Sequence, residues 1–586
     1  MSSIKVCLLF TACLLLFPAI VFGQTKPEPT PDAQDVIKFD TSLVQTDVMV
    51  FDKQGRFVDG LKPEQFQLKI NIAQREISFF ERISSRGSAG KPEEAQPGQA
   101  NPANISKADA QRRAVIFFVD DLHLAPDSLV RTRQALLEFI DSGIGEKDMV
   151  AITSPSGQIG FLQQLTASKD ALRSAVARLN YRANPKFDNE RPPMSEYLAM
   201  KIRDGDEQAL TYFVQEVQKQ NCFRTRAGLI CTVNPQSARQ LVKNRAQEVV
   251  VESAPATADT LRLLEGLMRT AAQLPGRKVV FVISDGFYLN DKKSGSLDRI
   301  KKVTDAAGRA GVVIYTLDAR GIVGESIDVA RPMDDKGLLT MAGIGELAAS
   351  QDGLNALAKD TGGQAFRNTN QPMGQWVQKV IDETSSYYLL AWKPDNEEQK
   401  RGKFKDIDVS IVGRPDLKVR VRTSYFKSAA LPLLTTKKKR DKDPEKARDD
   451  DMRLVIDAPV SQSEIPTAVN LHFNQMPGFG TSVVATISID DAVLTFDLVD
   501  GKLAADVDIG GIFYDDKGKP INSFVGRLRI FPKSGTTAGP ATKQKRSIYQ
   551  FSTLVPGGLY QIRVGIRDLK SSRNGSAVDW ITVPKI

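Results

Sequence analysis

The chain has 586 residues, of which 41% are hydrophobic and 25% are charged, and this balance excludes a fibrous or wholly disordered protein. Its length predicts three or four domains of about 150 residues each. The formal net charge is +9, and the densest basic run, residues 437–440, is followed at once by Asp441, Asp443 and Glu445. Nucleic-acid binding needs basic side chains gathered in one patch with aromatic partners, so we expect no nucleic-acid partner.

The chain begins with a pattern typical of exported proteins. Residues 6–22 form an apolar run behind a short basic start, and residues 24–41 are polar and proline-rich. This pattern predicts a signal peptide over residues 1–23, and therefore a secreted or periplasmic protein with no transmembrane segment after cleavage. Two alternatives stay open: an uncleaved anchor, because about 17–20 apolar residues can just span a bilayer, and an outer-membrane lipoprotein cut before Cys13.

Two of the four cysteines lie within the predicted signal peptide, and the other two are Cys222 and Cys231. An exported protein reaches an oxidising compartment, so we predict a disulfide between them. A structural zinc site would need further cysteine or histidine ligands, and both histidines, His123 and His472, are distant in sequence. A bridge that closes so short a loop is expected to contribute about 2–3 kcal/mol.

The first predicted domain is a β-module over residues 42–83. Apolar and polar residues alternate there, with turn residues such as Gly55 between the runs, which indicates short strands. Residues 84–110 are rich in glycine, proline, alanine and charge, and this composition is typical of a flexible linker.

The pattern changes over residues 111–426, where apolar runs alternate with amphipathic stretches. Strands are predicted at residues 114–119, 149–152, 278–283, 312–317 and 387–392. Helices are predicted at residues 127–142, 172–179, 258–274, 297–310, 353–359 and 373–383. This alternation predicts an α/β fold with an open, doubly wound and mostly parallel Rossmann-like sheet. Residues 180–253 interrupt the rhythm, and we predict a helical insertion that contains both cysteines.

Three aspartates directly follow predicted strands of this sheet: Asp120, Asp285 and Asp318. Ligands of open α/β sheets bind at the carboxyl ends of the strands, so these residues mark the expected site. Aspartates at such turns also cap helices, and we expect Asp127 or Ser128 to cap the first helix in that way.

The remaining part of the chain is predicted to be a charged linker, residues 427–451, and a C-terminal β-sandwich, residues 452–586. Alternating runs separated by turns support the sandwich, with strands expected at residues 482–487, 493–496, 527–531 and 559–564.

Four segments resemble exported bacterial proteins described as von Willebrand factor type A (VWA)-related. They are VMVFDKQGRFV with LKPEQF (residues 48–58 and 61–66), VIFFVDDLHL (115–124), RKVVFVISDGF (277–287), and LAKDTGGQAF with YYLLAW (357–366 and 387–392). Together they span roughly residues 40 to 426. The resemblance implies a VWA-like domain flanked by an N-terminal and a C-terminal β-rich domain.

The resemblance also implies a site for a divalent cation. Many VWA domains hold Mg²⁺ with an Asp-x-Ser-x-Ser motif, a threonine from a later loop and an aspartate after the fourth strand, because Mg²⁺ prefers oxygen ligands. Asp120 matches the first position and Asp285 the last, but Leu122 and Leu124 replace both serines. Shifting the register to Asp121 puts a histidine and an alanine in the serine positions, and the threonine loop coincides with the insertion. The site is therefore expected to be degenerate.

If a Mg or Ca ion binds, Asp120, Asp121 and Asp285 are the expected ligands, with His123 as a softer one. For catalysis, a Ser-His-Asp site needs a histidine beside a nucleophile, and no Gly-x-Ser-x-Gly elbow is present. We therefore expect a non-enzymatic protein that binds protein partners of the cell envelope or outside the cell. The alternatives are a cation-dependent adhesion domain with a rebuilt site, a hydrolase of unknown substrate, and a scaffold of an envelope assembly.

Overall fold

The computed structural model describes residues 44–84, 113–145, 148–182, 190–226, 228–274, 276–289, 296–322, 338–393, 405–421, 424–425, 444–458, 461–476, 480–499, 502–532 and 546–585. The predicted signal peptide, the polar residues after it and almost all of the 84–110 linker lie outside these residues. Within them, every helix is too short or too polar to cross a bilayer.

The first described region belongs to an antiparallel β-module. It comprises β1 Val44–Phe51, a 3-10 turn Pro63–Gln65, β2 Phe66–Ile70, β3 Ala73–Arg75 and β4 Phe79–Ser84. The alternation predicted from the sequence is present in β2, where Phe66, Leu68 and Ile70 are buried and the residues between them are partly exposed. One face of this module therefore packs against a core.

The second region is a parallel sheet with an insertion that begins after its second helix and ends within its fifth. Its elements are β5 Arg113–Val119, α1 Pro126–Glu138 with a π-helical turn Phe139–Gly143, β6 Asp148–Thr153, a 3-10 turn Gly160–Leu162, α2 Lys169–Ala177, α3 Glu196–Arg203, α4 Glu207–Gln220, β7 Cys222–Thr225, β8 Gly228–Cys231, α5 Pro235–Ala271, β9 Arg277–Ser284, α6 Ser296–Ala310, β10 Val312–Asp318, α7 Leu338–Asp360, β11 Ala365–Phe366 and α8 Met373–Glu383. The strand order is β11-β10-β9-β5-β6.

The central strand β5 shows why its sequence is continuously apolar. All seven of its residues are buried, and β5 pairs in parallel with both β6 and β9. Val115, Phe117 and Val119 enter a core shared with α1, α2 and α8. Ile116 and Phe118 enter a second core, on the other face, shared with α5, α6 and α7. The predicted mixed α/β architecture with a parallel sheet is confirmed.

The insertion is helical, and its last helix is longer than predicted. The pattern predicts a helix over residues 258–274, whereas α5 has 37 residues and contains Pro255. Proline removes a backbone donor and usually ends a helix, but here packing on both sides of it maintains the helix. Val242 and Ala246 pack with α3 and α4, while Leu261 and the residues after it pack on the parallel sheet. Helix α7 likewise begins at Leu338, before the predicted residues 353–359.

The strand predicted at residues 387–392 exists but lies in a different sheet. After α8 the chain forms β12 Ser386–Trp392, β13 Lys405–Ile411, β14 Lys418–Val421 and β15 Ser424–Tyr425. Strand β12 pairs antiparallel with β1 and β4 and thus completes the first β-module. Its side chains enter apolar clusters on both faces of that sheet. A strand covered on both faces has the same apolar run as a parallel strand, so its sequence did not distinguish the two sheets.

The last region has two antiparallel sheets around one core. Its elements are α9 Pro444–Ile456, β16 Thr467–Met476, β17 Gly480–Asp490, a 3-10 turn Asp491–Val493, β18 Asp497–Val499, β19 Lys502–Asp515, β20 Pro520–Ile530, β21 Arg546–Val555, β22 Gly558–Asp568 and β23 Asn574–Val583. One sheet has the order β16-β17-β21, and the other has β18-β19-β22-β23 with β20 paired to β19. Buried side chains of β17, β19 and β22 form a shared core.

Two predictions for this region differ from the structure. Residues 444–451, within the predicted charged linker, form the first two turns of α9. This helix is apolar only on its later residues, and Met452, Val455 and Ile456 pack over Gly565 of β22. The strand predicted at residues 493–496 is wrong, because the chain makes a 3-10 turn there and the next strand begins at Asp497.

Candidate binding site at the carboxyl edge of the parallel sheet

Asp120 lies directly after β5 and its carboxylate is completely buried. Its Oδ2 accepts a hydrogen bond from Ser284 Oγ (2.7 Å) and lies 2.8 Å from His123 Nδ1. Its Oδ1 accepts a hydrogen bond from Thr260 Oγ1 (2.8 Å). Buried carboxylates need such partners because desolvation disfavours the charge. The protein itself therefore supplies the donors around this carboxylate.

His123 connects Asp120 to the long helix of the insertion. An ionised carboxylate can only accept hydrogen bonds, so with Asp120 in that form Nδ1 of His123 is the donor. The other ring nitrogen, Nε2, is 3.2 Å from Thr257 Oγ1, and the ring packs near Phe287 with centroids 5.8 Å apart. Thr257 and Thr260 are three residues apart and thus share one face of α5. Both hydroxyls join α5 to the edge of the sheet.

Asp121 points toward a different set of donors. Its Oδ1 accepts a hydrogen bond from the backbone N–H of Ser156 (3.1 Å), and its Oδ2 accepts from Ser156 Oγ and Gln158 Nε2. These residues belong to the loop after β6. Asp121 therefore orders that loop, and Asp120 orders the helix of the insertion.

Asp285 caps the first helix, a role that the sequence assigned to other residues. Its Oδ2 accepts a hydrogen bond from the backbone N–H of Ala125 (2.7 Å), and Ala125 is the N-cap of α1, followed by Pro126. Asp127 lies in the first turn and Ser128 Oγ accepts a hydrogen bond from Arg131. The prediction that Asp127 or Ser128 caps α1 is wrong, because a carboxylate from the neighbouring strand serves the exposed N–H group.

Asp318, at the end of β10, is neutralised by an arginine. Arg320 donates from Nε to Oδ1 (2.8 Å) and from Nη2 to Oδ2 (2.7 Å). Gln351 of α7 adds a third hydrogen bond (2.6 Å). This bidentate arrangement is the strongest form of side-chain ion pair, so Asp318 has a structural role beside the site.

A group of acidic side chains lies where the insertion meets α7. Burial raises the pKa of the Glu196 carboxyl, the hydrogen bond with Ser253 and the nearby His123 lower it, and Glu346 raises it. Tyr288 donates a hydrogen bond to Glu346 Oε1 (3.0 Å), and burial raises the pKa of the Tyr288 hydroxyl. The folded protein therefore favours the protonated form of Glu196 more than the unfolded chain does.

The residues present do not fit the cation that the resemblance implies. The oxygens of Asp120 accept hydrogen bonds from protein donors, Asp121 faces the loop after β6, and Leu124 packs in the apolar core. Within the part of the chain that the structure describes, no group of three or more His, Cys, Asp and Glu side chains is arranged to hold a metal ion. The geometry instead suits a rigid contact between the sheet edge and the insertion.

The predicted disulfide is present at the tip of the insertion. Cys222 and Cys231 are bonded and are opposite each other in the hairpin of β7 and β8. The hairpin leads from α4 into α5, and the bridge closes it where the two helices meet.

Sequence reasoning missed the residues that hold these aspartates in place. Thr257, Thr260 and Ser284 surround Asp120 and His123, while Ser156 and Gln158 surround Asp121. Ser284 was visible next to Asp285. The two threonines had no such signal, because their helix belongs to a segment that only the fold brings to the sheet edge.

Comparisons with known proteins do not show a family for this chain. No protein family matches it, and no curated protein matches it. Among solved structures, a β-glucuronidase of Bacteroides uniformis is 8% identical, with a TM-score of 0.15. The match covers 34% of this chain and 19% of the enzyme's chain. The chain thus spans about a fifth of the length of that enzyme, and the likeness is too low to bear on its fold or its activity.

Proposed function

We propose that the chain is an exported, non-enzymatic protein that binds protein partners of the cell envelope or outside the cell, without a cation. The observation that carries this proposal is the surroundings of Asp120. Ser284, Thr260 and His123 hold the carboxylate, at the place where a cation-dependent domain would hold its ion. The partner then meets the surface of the protein and not a coordinated metal.

A VWA-like identity of the α/β unit is part of the proposal. It is supported by the parallel order β10-β9-β5-β6 and by Asp120 and Asp285 at the ends of adjacent strands. Export is supported by the bond between Cys222 and Cys231, because disulfides persist in oxidising compartments.

The insertion is the surface most suited to recognition. Its helix α5 contacts the sheet edge through Thr257 and Thr260. Helices α3 and α4 pack against α5 in a core of their own. The insertion thus has a core of its own and contacts the strand ends, and a partner that approaches this edge meets the insertion first.

The test is affinity capture from the envelope fraction on immobilised protein, with Mg²⁺ and Ca²⁺ present or with a chelator. We expect the same partner in both conditions, and no rise in melting temperature with millimolar Mg²⁺, Ca²⁺ or Mn²⁺. A partner lost on chelation, or a melting shift that Asp120→Asn abolishes, would overturn cation-independent binding. Turnover of ester, peptide or phosphate substrates that Asp120→Ala removes would overturn the non-enzymatic role.

A hydrolase is the second candidate, because Thr257, His123 and Asp120 have the order of a nucleophile, a base and an orienting acid. The hydroxyl lies 3.2 Å from Nε2, and Nδ1 lies 2.8 Å from the carboxylate, as such a relay requires. However, Thr257 is buried within α5, and a substrate must reach the nucleophile. Ester turnover that persists in Thr257→Ser and is lost in Thr257→Val would favour the hydrolase; equal rates in both variants would exclude this relay.

A further inference from the structure

The hairpin of β7 and β8 lies at the end of the insertion farthest from the sheet. Helix α5 begins at Pro235, just after the hairpin, and reaches the sheet edge at Thr257. At 1.5 Å per residue, these two points are about 33 Å apart along the helix. The hairpin therefore projects well beyond the strand ends that form the candidate site.

The hairpin exposes two large apolar side chains on one face. Phe223 and Ile230 are opposite each other in the two strands, and they are 54% and 46% exposed. Adjacent exposed apolar side chains, unlike scattered ones, mark an interaction surface.

The segment around the hairpin carries charges of only one sign. Residues 217–247 contain no aspartate or glutamate and six basic residues: Lys219, Arg224, Arg226, Arg239, Lys243 and Arg245. Three of these are used inside the insertion, since Lys219 pairs with Glu216, Arg239 pairs with Glu207, and Arg245 donates to the carbonyl of Pro192.

The two hairpin arginines differ from those three. Arg224 and Arg226 are exposed, and no described carboxylate forms an ion pair with either. Their charge is therefore available to an anionic partner. Arg224 follows Phe223 in β7 and so projects from the opposite face of the hairpin, and Arg226 lies beyond the end of β7.

The two strands of the hairpin are also tied together where they join the helices. The disulfide joins the first residue of β7 to the last of β8, and the backbone N–H of Thr232 donates to the carbonyl of Asn221 (2.9 Å) just outside the bridge. A surface that is ordered before binding loses little conformational entropy when it binds.

We propose that this hairpin docks on the surface of an anionic lipid bilayer. Phe223 and Ile230 enter the boundary between head groups and acyl chains, and Arg224 and Arg226 contact lipid phosphates. Amphipathic surface elements that combine apolar and basic side chains bind anionic membranes in this way. The inference goes beyond the proposed function and does not depend on a protein partner.

The size of the hairpin favours a lipid surface over an acidic protein. A stable protein interface takes about 20–30 residues from each partner, more than the ten residues from Cys222 to Cys231. A bilayer needs no matching shape, and it attracts basic side chains through the field of its whole surface. Binding through so few residues is expected to be weak and reversible.

The experiment is cosedimentation of the chain from Gln24 onward, so that apolar residues 6–22 cannot bind lipid. The probes are vesicles of phosphatidylethanolamine with phosphatidylglycerol, and vesicles of phosphatidylcholine alone. We expect binding to the anionic vesicles that added salt weakens. The double variants Phe223→Ser with Ile230→Ser, and Arg224→Gln with Arg226→Gln, are each expected to lower the binding about tenfold or more.

Two further variants distinguish entry of the hairpin into lipid from a general effect of changing an exposed apolar residue. Ile72→Ser changes an apolar residue that is 94% exposed in the β-module, and it should bind like the unchanged chain. Phe223→Trp should keep the binding and show a blue-shifted emission on anionic vesicles. Equal binding to phosphatidylcholine, no binding to anionic vesicles, or binding that the tip variants leave unchanged overturns the proposal. Capture of an acidic protein through Phe223, without vesicle binding, would assign the hairpin to that class of partner.

Discussion

Arg113 at the amino edge of the parallel sheet and Asp120 at its carboxyl edge are both buried, but their partners differ. At the amino edge, Arg113 donates from Nε and Nη2 to Asp148 (2.9 and 2.7 Å), and its Nη1 donates to the carbonyl of Ile381 (2.7 Å). At the carboxyl edge, the charge of Asp120 is surrounded by two hydroxyls and an imidazole. Arg113 thus pairs with one opposite charge, whereas Asp120 divides its hydrogen bonds among three side chains. Asp318, also at the carboxyl edge, is paired with Arg320 in the same way as Asp148 with Arg113.

This difference determines how strongly each buried charge depends on a single partner. A buried ion pair has one essential partner, so removing either member leaves an uncompensated charge. A carboxylate with several donors loses only part of its stabilisation when one is removed. Arg277, also at the amino edge, lies over the Tyr387 ring of the β-module (4.9 Å). The amino edge of the parallel sheet therefore also contacts the β-module.

The largest effect is expected for Arg113→Met. Asp148 would remain buried without its counter-charge, and the α/β unit should lose about 3–5 kcal/mol of unfolding free energy. Denaturant unfolding followed by a probe in this unit measures the loss. The control is Arg113→Met with Asp148→Leu, which should recover most of it because no charge is left buried. An equal loss in the double variant would show that the ion pair is not the cause.

A smaller effect is expected for Thr260→Val at the other edge. The substitution keeps the shape but removes the donor to Asp120 Oδ1, and the loss should be about 1–3 kcal/mol. Thr260→Ser keeps the hydroxyl and should lose less. A loss as large as that of Arg113→Met would erase the contrast between the edges, and no loss in Thr260→Val would mean that the hydroxyl is not needed.

The smallest effect is expected for Glu196→Gln, above the carboxyl edge. The folded state raises the pKa of Glu196 through burial, so its contribution is fully present below the unfolded pKa of about 4 and is lost as pH rises through the folded pKa. Glutamine is neutral, so near neutral pH the substitution should raise the melting temperature. The gain in the free energy of unfolding should be less than about 1 kcal/mol. Thermal melts at acidic and neutral pH measure this.

Glu207→Gln is the matched control on the same insertion. The hydrogen bond from Arg239 lowers the pKa of Glu207, so its contribution is present above the unfolded pKa and is lost as pH falls. The substitution should therefore have the opposite sign near neutral pH. The same sign in both variants would contradict the roles given to burial and pairing.

The sequence predicted the parallel sheet because its strands are covered on both faces, and that pattern is local. The run at residues 114–119 and the run at residues 278–283 are adjacent parallel strands in the structure. The same logic failed for residues 387–392, since a strand between two apolar clusters has the same pattern in an antiparallel sheet. Which sheet such a strand joins depends on partner strands that are distant in sequence.

The candidate site was predictable only in part, for a related reason. Asp120, Asp121 and Asp285 could be placed at the strand ends, because strand ends are visible in sequence. The residues that donate to them could not be predicted. Thr257 and Thr260 belong to one long helix, which the hydrophobic pattern divided into two segments near Pro255. Their approach to the sheet edge depends on tertiary packing.

Helix α5 has a mechanical consequence, because one continuous rod belongs to two cores. A load on the exposed end of the rod exerts a torque about the place where it meets the sheet. Pro255 lacks the backbone donor that would stiffen the helix there, and Thr257 lies two residues farther on. A small bend at this point would move the hairpin of β7 and β8 by a large distance, while the second half of α5 remains packed on the parallel sheet.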